Sequence, residues 1–340
     1  MNIFLSLDYE LFLQDPGINI AASLIDPTKR LNEMLEKNSL NAVYFVDAGY
    51  IAALNRQKLT YHSLQIDYNK IIEQLQDFNL YGHEIGLHIH PHWEDTFFDG
   101  NRWRVNLARY KLADFRQEEA STIFKHYFSV LQDHASTKIV SYRAGGWCLE
   151  PFSHISSAMR ECGIFIDSTV FQDGRKQTAT HSFDFRGYPK KDMWRFDNHP
   201  SIEDKDGFFL ELPSTSYTLS PTVFWRLLFN SILKKVRKND SGYGVKPSIT
   251  EALRKLFLTR SEAVSIDSIK SDNVLKSFKS AEKEGRLNFC IIGHPKCFTD
   301  DTYKNLAHFI DYALSQGHQF KTFSSAFQPS HDAPLSVRAV

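Results

Sequence analysis

Short apolar runs alternate along the chain with longer stretches in which apolar residues recur every three or four positions. The short runs predict β-strands at residues 3–7, 41–46, 138–142, 163–168, 208–212, 287–293 and 318–323, with a further strand leading into Gly86. The longer stretches predict helices at residues 24–38, 66–79, 114–133, 150–162 and 301–315. Because strands and helices alternate, the pattern favours an α/β fold with a mostly parallel sheet, either a barrel or a wound sheet.

One segment, from about residue 214 to 285, departs from this rhythm and predicts a basic, helical insertion. No internal repeat or Gly/Ser linker divides the chain, so residues 1–323 are expected to form one domain, followed by a loose tail at 324–340. Within the insertion, residues 221–238 read PTVFWRLLFNSILKKVRK and predict an amphipathic basic helix. We expect this helix to pack on the domain, with peripheral contact to an anionic membrane as the alternative.

Composition narrows the range of functions. The 340 residues include 40 Lys and Arg and 40 Asp and Glu, and this zero net charge argues against a dedicated nucleic-acid binder. A hydrophobic content of 42% excludes a wholly disordered chain. The first residues, MNIFLSLDYELFLQD, contain neither a basic leader nor a long apolar run, which predicts a cytoplasmic protein. Four cysteines without a CxxC pair are then expected to be reduced thiols.

Acidic and basic side chains follow one predicted strand after another. They are Asp8 and Glu10, then His88, His90 and His92, then Arg143, Asp167 and His294. In parallel α/β folds the carboxyl ends of the strands form one edge, and functional residues collect there. Packing alone does not account for ionisable groups at so many strand ends, so these residues are the candidate site.

The segment GHEIGLHIHPHW, residues 82–93, carries the strongest single signal. His88 and His92 are four positions apart, and in a turn or helical start this spacing places two imidazoles on one side. Two such nitrogens can bind one Zn²⁺ ion. His90 is expected to point elsewhere, and His83 is expected to be structural. The alternative is a polar loop with several surface histidines.

Asp8 and Glu10 are two positions apart and would share one face if the strand continues. Two carboxylates on one site need a cation between them or a shared proton, so one metal ligand and one general base would satisfy the pair. His294 is a candidate catalytic residue at the end of another strand. Arg143 would orient a carboxylate, with Asp167 as its expected partner, and Gly146 would let the backbone approach a substrate.

These motifs, in this order, resemble those of the polysaccharide deacetylases, the NodB-homology domain of carbohydrate esterase family 4. The family's Thr-Phe-Asp-Asp-Gly motif corresponds to residues 6–10, its His-Ser/Thr-x-x-His motif to 88–92, and its Arg motif to 143–147. Its later Asp corresponds best to Asp167, and its final strand and His correspond to residues 291–294. The resemblance covers residues 2–212 and 286–323 and is closest to divergent members associated with surface-polysaccharide and O-antigen biosynthesis.

The resemblance implies a distorted (β/α) barrel, often seven-stranded, and a metal-dependent hydrolase. One divalent ion, with zinc expected first, would be held by Glu10, His88 and His92. Asp8 would be the base and His294 the acid, with Arg143 and Asp167 holding them in place. The roles of Asp8 and Glu10 could be exchanged, since the first motif has an inserted residue and Glu in place of its second Asp.

The substrate implied by the resemblance is an acetylated sugar in a polysaccharide or a lipid- or nucleotide-linked precursor, which would lose an N-acetyl or O-acetyl group. Backbone N–H groups near Gly146 or Trp147 would assist at the developing oxyanion. Two alternatives stay open. One is a metal-dependent amidohydrolase acting on a non-sugar amide or cyclic imide, and the other is a non-catalytic, carbohydrate-binding relic of the same fold.

Overall fold

A computed structural model describes residues 1–11, 19–219 and 259–328 of the chain. Seven parallel strands form a curled sheet in the order β6-β5-β4-β3-β2-β1-β7. Their bounds are β1 Asn2–Tyr9, β2 Val43–Asp47, β3 Glu84–Ile89, β4 Ser141–Ala144, β5 Ile166–Asp167, β6 Phe209–Glu211 and β7 Asn288–Gly293. The expectation of a distorted (β/α) barrel is confirmed.

Short strands extend this sheet or form pairs beside it. Trp194–Phe196 lies antiparallel to β6, and Gln319–Phe320 lies parallel to β1. Three antiparallel pairs stand apart from the barrel: Phe97–Phe98 with Trp103–Arg104, Arg175–Gln177 with Ser182–Asp184, and Ser216–Leu219 with Arg260–Ala263.

The edges of the sheet at β6 and β7 are joined by irregular segments at 214–215 and 264–266. The Thr215 backbone N–H donates to the Cys290 carbonyl at 2.9 Å, and the Ile266 N–H donates to the Ile292 carbonyl at 3.0 Å. These bonds satisfy backbone groups that an open sheet edge would leave unpaired. Segment 264–266 consequently brings the residue that follows it to the same end of the barrel as the end of β7.

Alternate residues of each strand enter two different apolar layers, as the two-residue period of a strand requires. The inner layer fills the barrel and includes Phe4, Val43, Phe45, Leu210, Leu212 and Cys290. The outer layer packs against the helices, where Tyr44 stacks on Phe78 with ring centroids 4.0 Å apart. In the same layer the ring of Tyr142 lies against Phe124. A polar residue therefore faces the barrel interior only if it lies an even number of positions from another inward-facing residue of the same strand.

The outer layer contains the helices α1 Asp26–Lys37, α2 Ala48–Gln57, α3 His62–Leu80, α4 Gln117–Gln132, α5 Ser156–Cys162, α6 Val274–Lys283, α7 Asp300–Ser315 and α8 Phe323–Ala326. The helices expected from the apolar spacing are present with shifted ends. The apolar spacing does not predict helix α2. Residues 48–54 are all buried, so no polar face marks the helical period there. The helices among the described residues are too short or too polar to cross a bilayer.

The expected helical insertion and tail are described only at their ends. Near the start of the insertion lies the strand Ser216–Leu219, which pairs antiparallel with Arg260–Ala263. Helix α6 lies near its end, so the described part of the insertion contains both strands and a helix. The amphipathic stretch 221–238 lies outside the described residues. The expected loose tail starts at residue 324. Ser324 itself is hydrogen-bonded to β3, because its N–H and its hydroxyl both donate to the Glu84 carboxylate, at 2.7 and 2.8 Å.

Candidate metal centre and active site

Strand register brings the candidate residues to one end of the barrel. Asp47 pairs with His88 across β2 and β3, and His88 pairs with Arg143 across β3 and β4. Leu7 pairs with Gly293 across β1 and β7, so the next residues, Asp8 and His294, also lie side by side. The ends of β1, β2, β3, β4 and β7 therefore lie at one end of the barrel.

Glu10, His88 and His90 form the group that could hold a metal ion. One ligand atom from each lies within 4.8 Å of the others. His90 Nε2 is 2.5 Å from Glu10 Oε2 and 3.2 Å from His88 Nε2, and His88 Nε2 is 3.5 Å from Glu10 Oε2. All three side chains are buried.

The donor set of this group suits a divalent cation. His88 Nδ1 lies 2.8 Å from the Arg143 carbonyl oxygen, which can only accept a hydrogen bond. The ring proton is therefore on Nδ1, and in the neutral ring Nε2 presents its lone pair toward Glu10 and His90. Two imidazole nitrogens and one carboxylate oxygen are a common protein ligand set for Zn²⁺.

His90 occupies the place that the sequence interpretation gave to His92. His90 continues the extended backbone, with φ −110° and ψ 96°, and the 3₁₀ turn starts only at Pro91. Residues two apart on an extended segment share a face, so His90 joins His88, and the helical spacing assumed for His92 does not apply. His92 is fully buried beside Trp93 with no hydrogen bond to either ring nitrogen from the described residues, and burial lowers its pKa well below the ordinary value.

Asp8 and His294 form the second half of the cluster. Asp8 Oδ2 is 3.5 Å from His294 Nε2, and Asp8 Oδ1 accepts a hydrogen bond of 2.7 Å from Arg143. Burial alone would raise the pKa of Asp8, but the positive charges of Arg143 and the neighbouring histidines hold it well below the usual range. Asp8 is consequently a carboxylate, able to accept a proton.

Arg143 is fixed within the barrel by bonds from all three of its nitrogen atoms. Nε donates to the Ser168 carbonyl at 2.9 Å, Nη1 donates to Asp8, and Nη2 donates to the Ser6 hydroxyl at 2.7 Å and the Ser168 hydroxyl at 3.1 Å. Its guanidinium carbon also lies 4.2 Å from the centre of the Phe45 ring. This arrangement fits the expectation that Arg143 orients a carboxylate, with Asp8 as that carboxylate.

His294 is oriented by Asp267, a residue that the sequence interpretation did not select. Asp267 Oδ2 lies 2.8 Å from His294 Nδ1, and Oδ1 accepts the His294 backbone N–H at 2.7 Å. Burial alone would lower the pKa of His294, but Asp267 and Asp8 raise it to about 10. These two carboxylates favour the imidazolium form of His294, with Nε2 directed at the cluster, and this form is the one that can act as a general acid.

Asp167, expected to partner Arg143, lies on the other face of its strand. It pairs in register with Tyr142 and Glu211, and Ser168, the next residue, contacts Arg143 instead. Because successive side chains point to opposite faces, Asp167 is directed away from the barrel interior. Its Oδ1 accepts a hydrogen bond of 2.7 Å from the Thr169 hydroxyl.

Gly146 and Trp147 lie beside the cluster in a turn that follows β4. Gly146 has φ +60°, and a Cβ there would come within 2.7 Å of the Tyr110 hydroxyl oxygen, so the turn requires glycine. The Tyr110 ring lies 5.6 Å from His90, and the Trp147 ring lies 5.5 Å from Phe171. Tyr110 therefore lies close to both Gly146 and His90.

The sequence matches no protein-family model, and a search of curated proteins gives no significant match. Among solved structures, the chain is similar to a protein from Mycobacterium smegmatis described as a candidate polysaccharide deacetylase, with 14% identity, a TM-score of 0.52, and coverage of 96% of this chain and 88% of that one. The chain has the polysaccharide deacetylase fold.

More distant neighbours of the deacetylase fold include a family 4 carbohydrate esterase from Streptomyces lividans in complex with acetate. That match has 10% identity, a TM-score of 0.40, and coverage of 96% of this chain and 95% of that one. An allantoinase matches with 12% identity, a TM-score of 0.49, and coverage of 95% and 88%.

Proposed function

We propose that this protein is a metal-dependent hydrolase that removes an acetyl group from an N-acetylated sugar. The observation that carries the proposal is the convergence of a three-residue ligand set, Glu10, His88 and His90, with a carboxylate and an imidazolium, Asp8 and His294. A divalent ion in this ligand set would polarise an acetamide carbonyl and lower the pKa of a water molecule. The two remaining groups can then divide the proton transfers.

Asp8 is the proposed general base. Its carboxylate is ionised and held by Arg143 through Oδ1, so Oδ2 is the oxygen that can take a proton from water. Glu10 is assigned to the metal because its Oε2 faces the histidines. These two assignments separate the roles that the sequence left exchangeable.

His294 is the proposed general acid, which donates the Nε2 proton to the departing amine. Asp267 holds the Nδ1 side, fixing both the ring orientation and the charge of the imidazolium. Acetate and a free amino sugar would be the products. Backbone N–H groups of the turn at 145–147 are proposed to face the substrate near Asp8 and His294 and to assist at the developing oxyanion.

Metal analysis and acetate release test this proposal. We expect about one divalent ion per chain in the wild type and in His92→Ala, and loss of the ion in His88→Ala and His90→Ala. The substrate panel contains N-acetylated sugars, their oligomers and nucleotide-linked forms, and a cyclic imide. Absence of metal after zinc loading would overturn the proposal, and cleavage of the imide alone would replace the sugar substrate with a non-sugar amide.

A further inference from the structure

Lys296 is a buried cation at the metal centre. It follows His294 by two residues in the turn Pro295–Cys297. Its Nζ donates to Glu10 Oε1 at 2.9 Å and to the Leu11 carbonyl at 2.9 Å. The side chains of Lys296 and Glu10 are each 9% exposed, so solvent screens this ion pair only weakly.

The two oxygens of Glu10 have different surroundings. Oε1 faces Lys296, whereas Oε2 faces His88 and His90. The hydrogen bond from Lys296 thus occupies Oε1 and leaves Oε2 for a metal ion.

A cation that fixes a ligand also repels the metal ion that the ligand binds. The Lys296 ammonium lies within hydrogen-bond distance of the ligand carboxylate, so a divalent ion on the other carboxylate oxygen would be only a few ångströms away. Without Lys296, Glu10 would be a buried carboxylate lacking this counter-ion, which a divalent ion could replace.

We propose that Lys296 sets the metal affinity of this centre, holding Glu10 as a one-oxygen ligand while weakening the binding of the divalent ion. This inference rests on the proposed function, because it takes Glu10, His88 and His90 as the metal ligands. In this arrangement Lys296 is a positioning residue for Glu10, and its ammonium group competes with the metal ion for the carboxylate.

Metal affinity and thermal unfolding of Lys296→Met test the proposal. We expect the dissociation constants for Zn²⁺ and Co²⁺, measured by competition with a chelator, to fall at least about tenfold, since a repulsive charge near the ion is removed. The metal-free variant should melt below the wild type, and saturating Zn²⁺ should raise its Tm by more than it raises that of the wild type.

Three further variants sharpen this experiment. Lys296→Gln is neutral but can still donate to Glu10, so it should bind Zn²⁺ more tightly than the wild type even if Lys296→Met does not fold. Lys296→Arg keeps the charge and should retain nearly the wild-type affinity. Lys191→Met removes a lysine from an exposed pair with Glu203 and should change neither readout.

The outcomes separate this inference from the proposed function. If the wild type binds metal through His88 and His90 but Lys296→Met and Lys296→Gln bind it equally or less tightly, the inference on Lys296 fails and the proposed function survives. If the wild type and both neutral variants bind no metal at the three ligands, both fail. Tighter binding in Lys296→Arg as well would also overturn the inference, because charge would not be the cause.

Discussion

Two pairs of buried carboxyl groups lie on opposite faces of the same curled sheet. Asp8 and Glu10 face the barrel interior, and each is held by a cation, Arg143 for one and Lys296 for the other. Asp167 and Glu211 face the other way, at paired positions of β5 and β6. Both pairs consist of the same kinds of group at nearly complete burial.

Charge partners, not burial, distinguish the two pairs. Burial alone would raise the pKa of all four carboxyls, but the pKa values of Asp8 and Glu10 are lowered, whereas burial leaves those of Asp167 and Glu211 raised. Among the described residues, Asp167 Oδ2 and Glu211 Oε2 accept no hydrogen bond from another group, and the two carboxyls interact directly. The cations therefore favour the ionised form of the inner pair, whereas burial favours the protonated form in the outer pair.

The largest expected contrast is between Asp8→Asn and Asp167→Asn. Asp8→Asn removes the proposed base and should lower kcat/KM for acetate release by about 10³-fold, within the range of general base catalysis. Asp167→Asn should leave kcat/KM close to the wild-type value, because Asp167 lies outside the barrel interior. Acetate release and metal content are measured for both variants.

Thermal unfolding accompanies this comparison as a control for folding. Asp8→Asn leaves the Arg143 charge buried without its partner, so a lower Tm is expected although the metal content should be retained. A large loss of activity in Asp167→Asn with normal Tm would show that the sequence interpretation was right to place Asp167 in the catalytic machinery.

A smaller effect is expected for Asp267→Asn, which tests the partner of the proposed acid. The asparagine oxygen can still accept the His294 backbone N–H, but its amide would face His294 Nδ1 as a donor and favour the wrong tautomer. We expect kcat to fall about 10²-fold with metal content unchanged. Asp272→Asn is the matched control, because Asp272 is exposed and accepts a hydrogen bond from the Asn305 side chain. Equal activity in Asp267→Asn and the wild type would contradict the role of Asp267.

The sequence predicts the fold well because strand and helix periods repeat along most of the chain. It also predicts the end of the barrel at which the site lies, since ionisable residues follow the strands in series. Helix α2 is missed because its buried surface extends all round it. The apolar pattern predicts an insertion at residues 214–285, separate from the barrel. Residues 264–267 nevertheless lead directly into the site, where Asp267 contacts His294.

The differences between the predicted site and the structure come from counting strand faces. The run Val-Ser-Ile-Asp at 264–267 has the same alternating pattern and terminal acid as the start of the chain, and this signal could have identified Asp267. His90 is found by continuing the two-residue period of β3, whereas a helical period selects His92. Lys296 lies in the turn that follows β7, and its contact with Glu10 spans 286 positions in sequence, which no local pattern reveals.

The smallest expected effect concerns stability and the outer pair. Because burial raises the pKa of Glu211, the folded state retains a proton that the unfolded chain releases, and stability should fall as the pH rises above the ordinary carboxyl range. Glu211→Gln supplies a permanent donor to Asp167 while its oxygen can still accept the Val170 N–H now bonded at 3.1 Å. We expect a gain of roughly 1–2 kcal/mol in the free energy of unfolding at pH 8 and a smaller gain at pH 4.

Urea unfolding at both pH values measures this difference, with Glu203→Gln as the control at an exposed ion pair. A gain that is equal at pH 4 and pH 8 would mean that the pKa of Glu211 is the same in the folded and the unfolded protein, so that burial does not raise it. The contrast between the two faces of the sheet would then not extend to the protonation of Glu211.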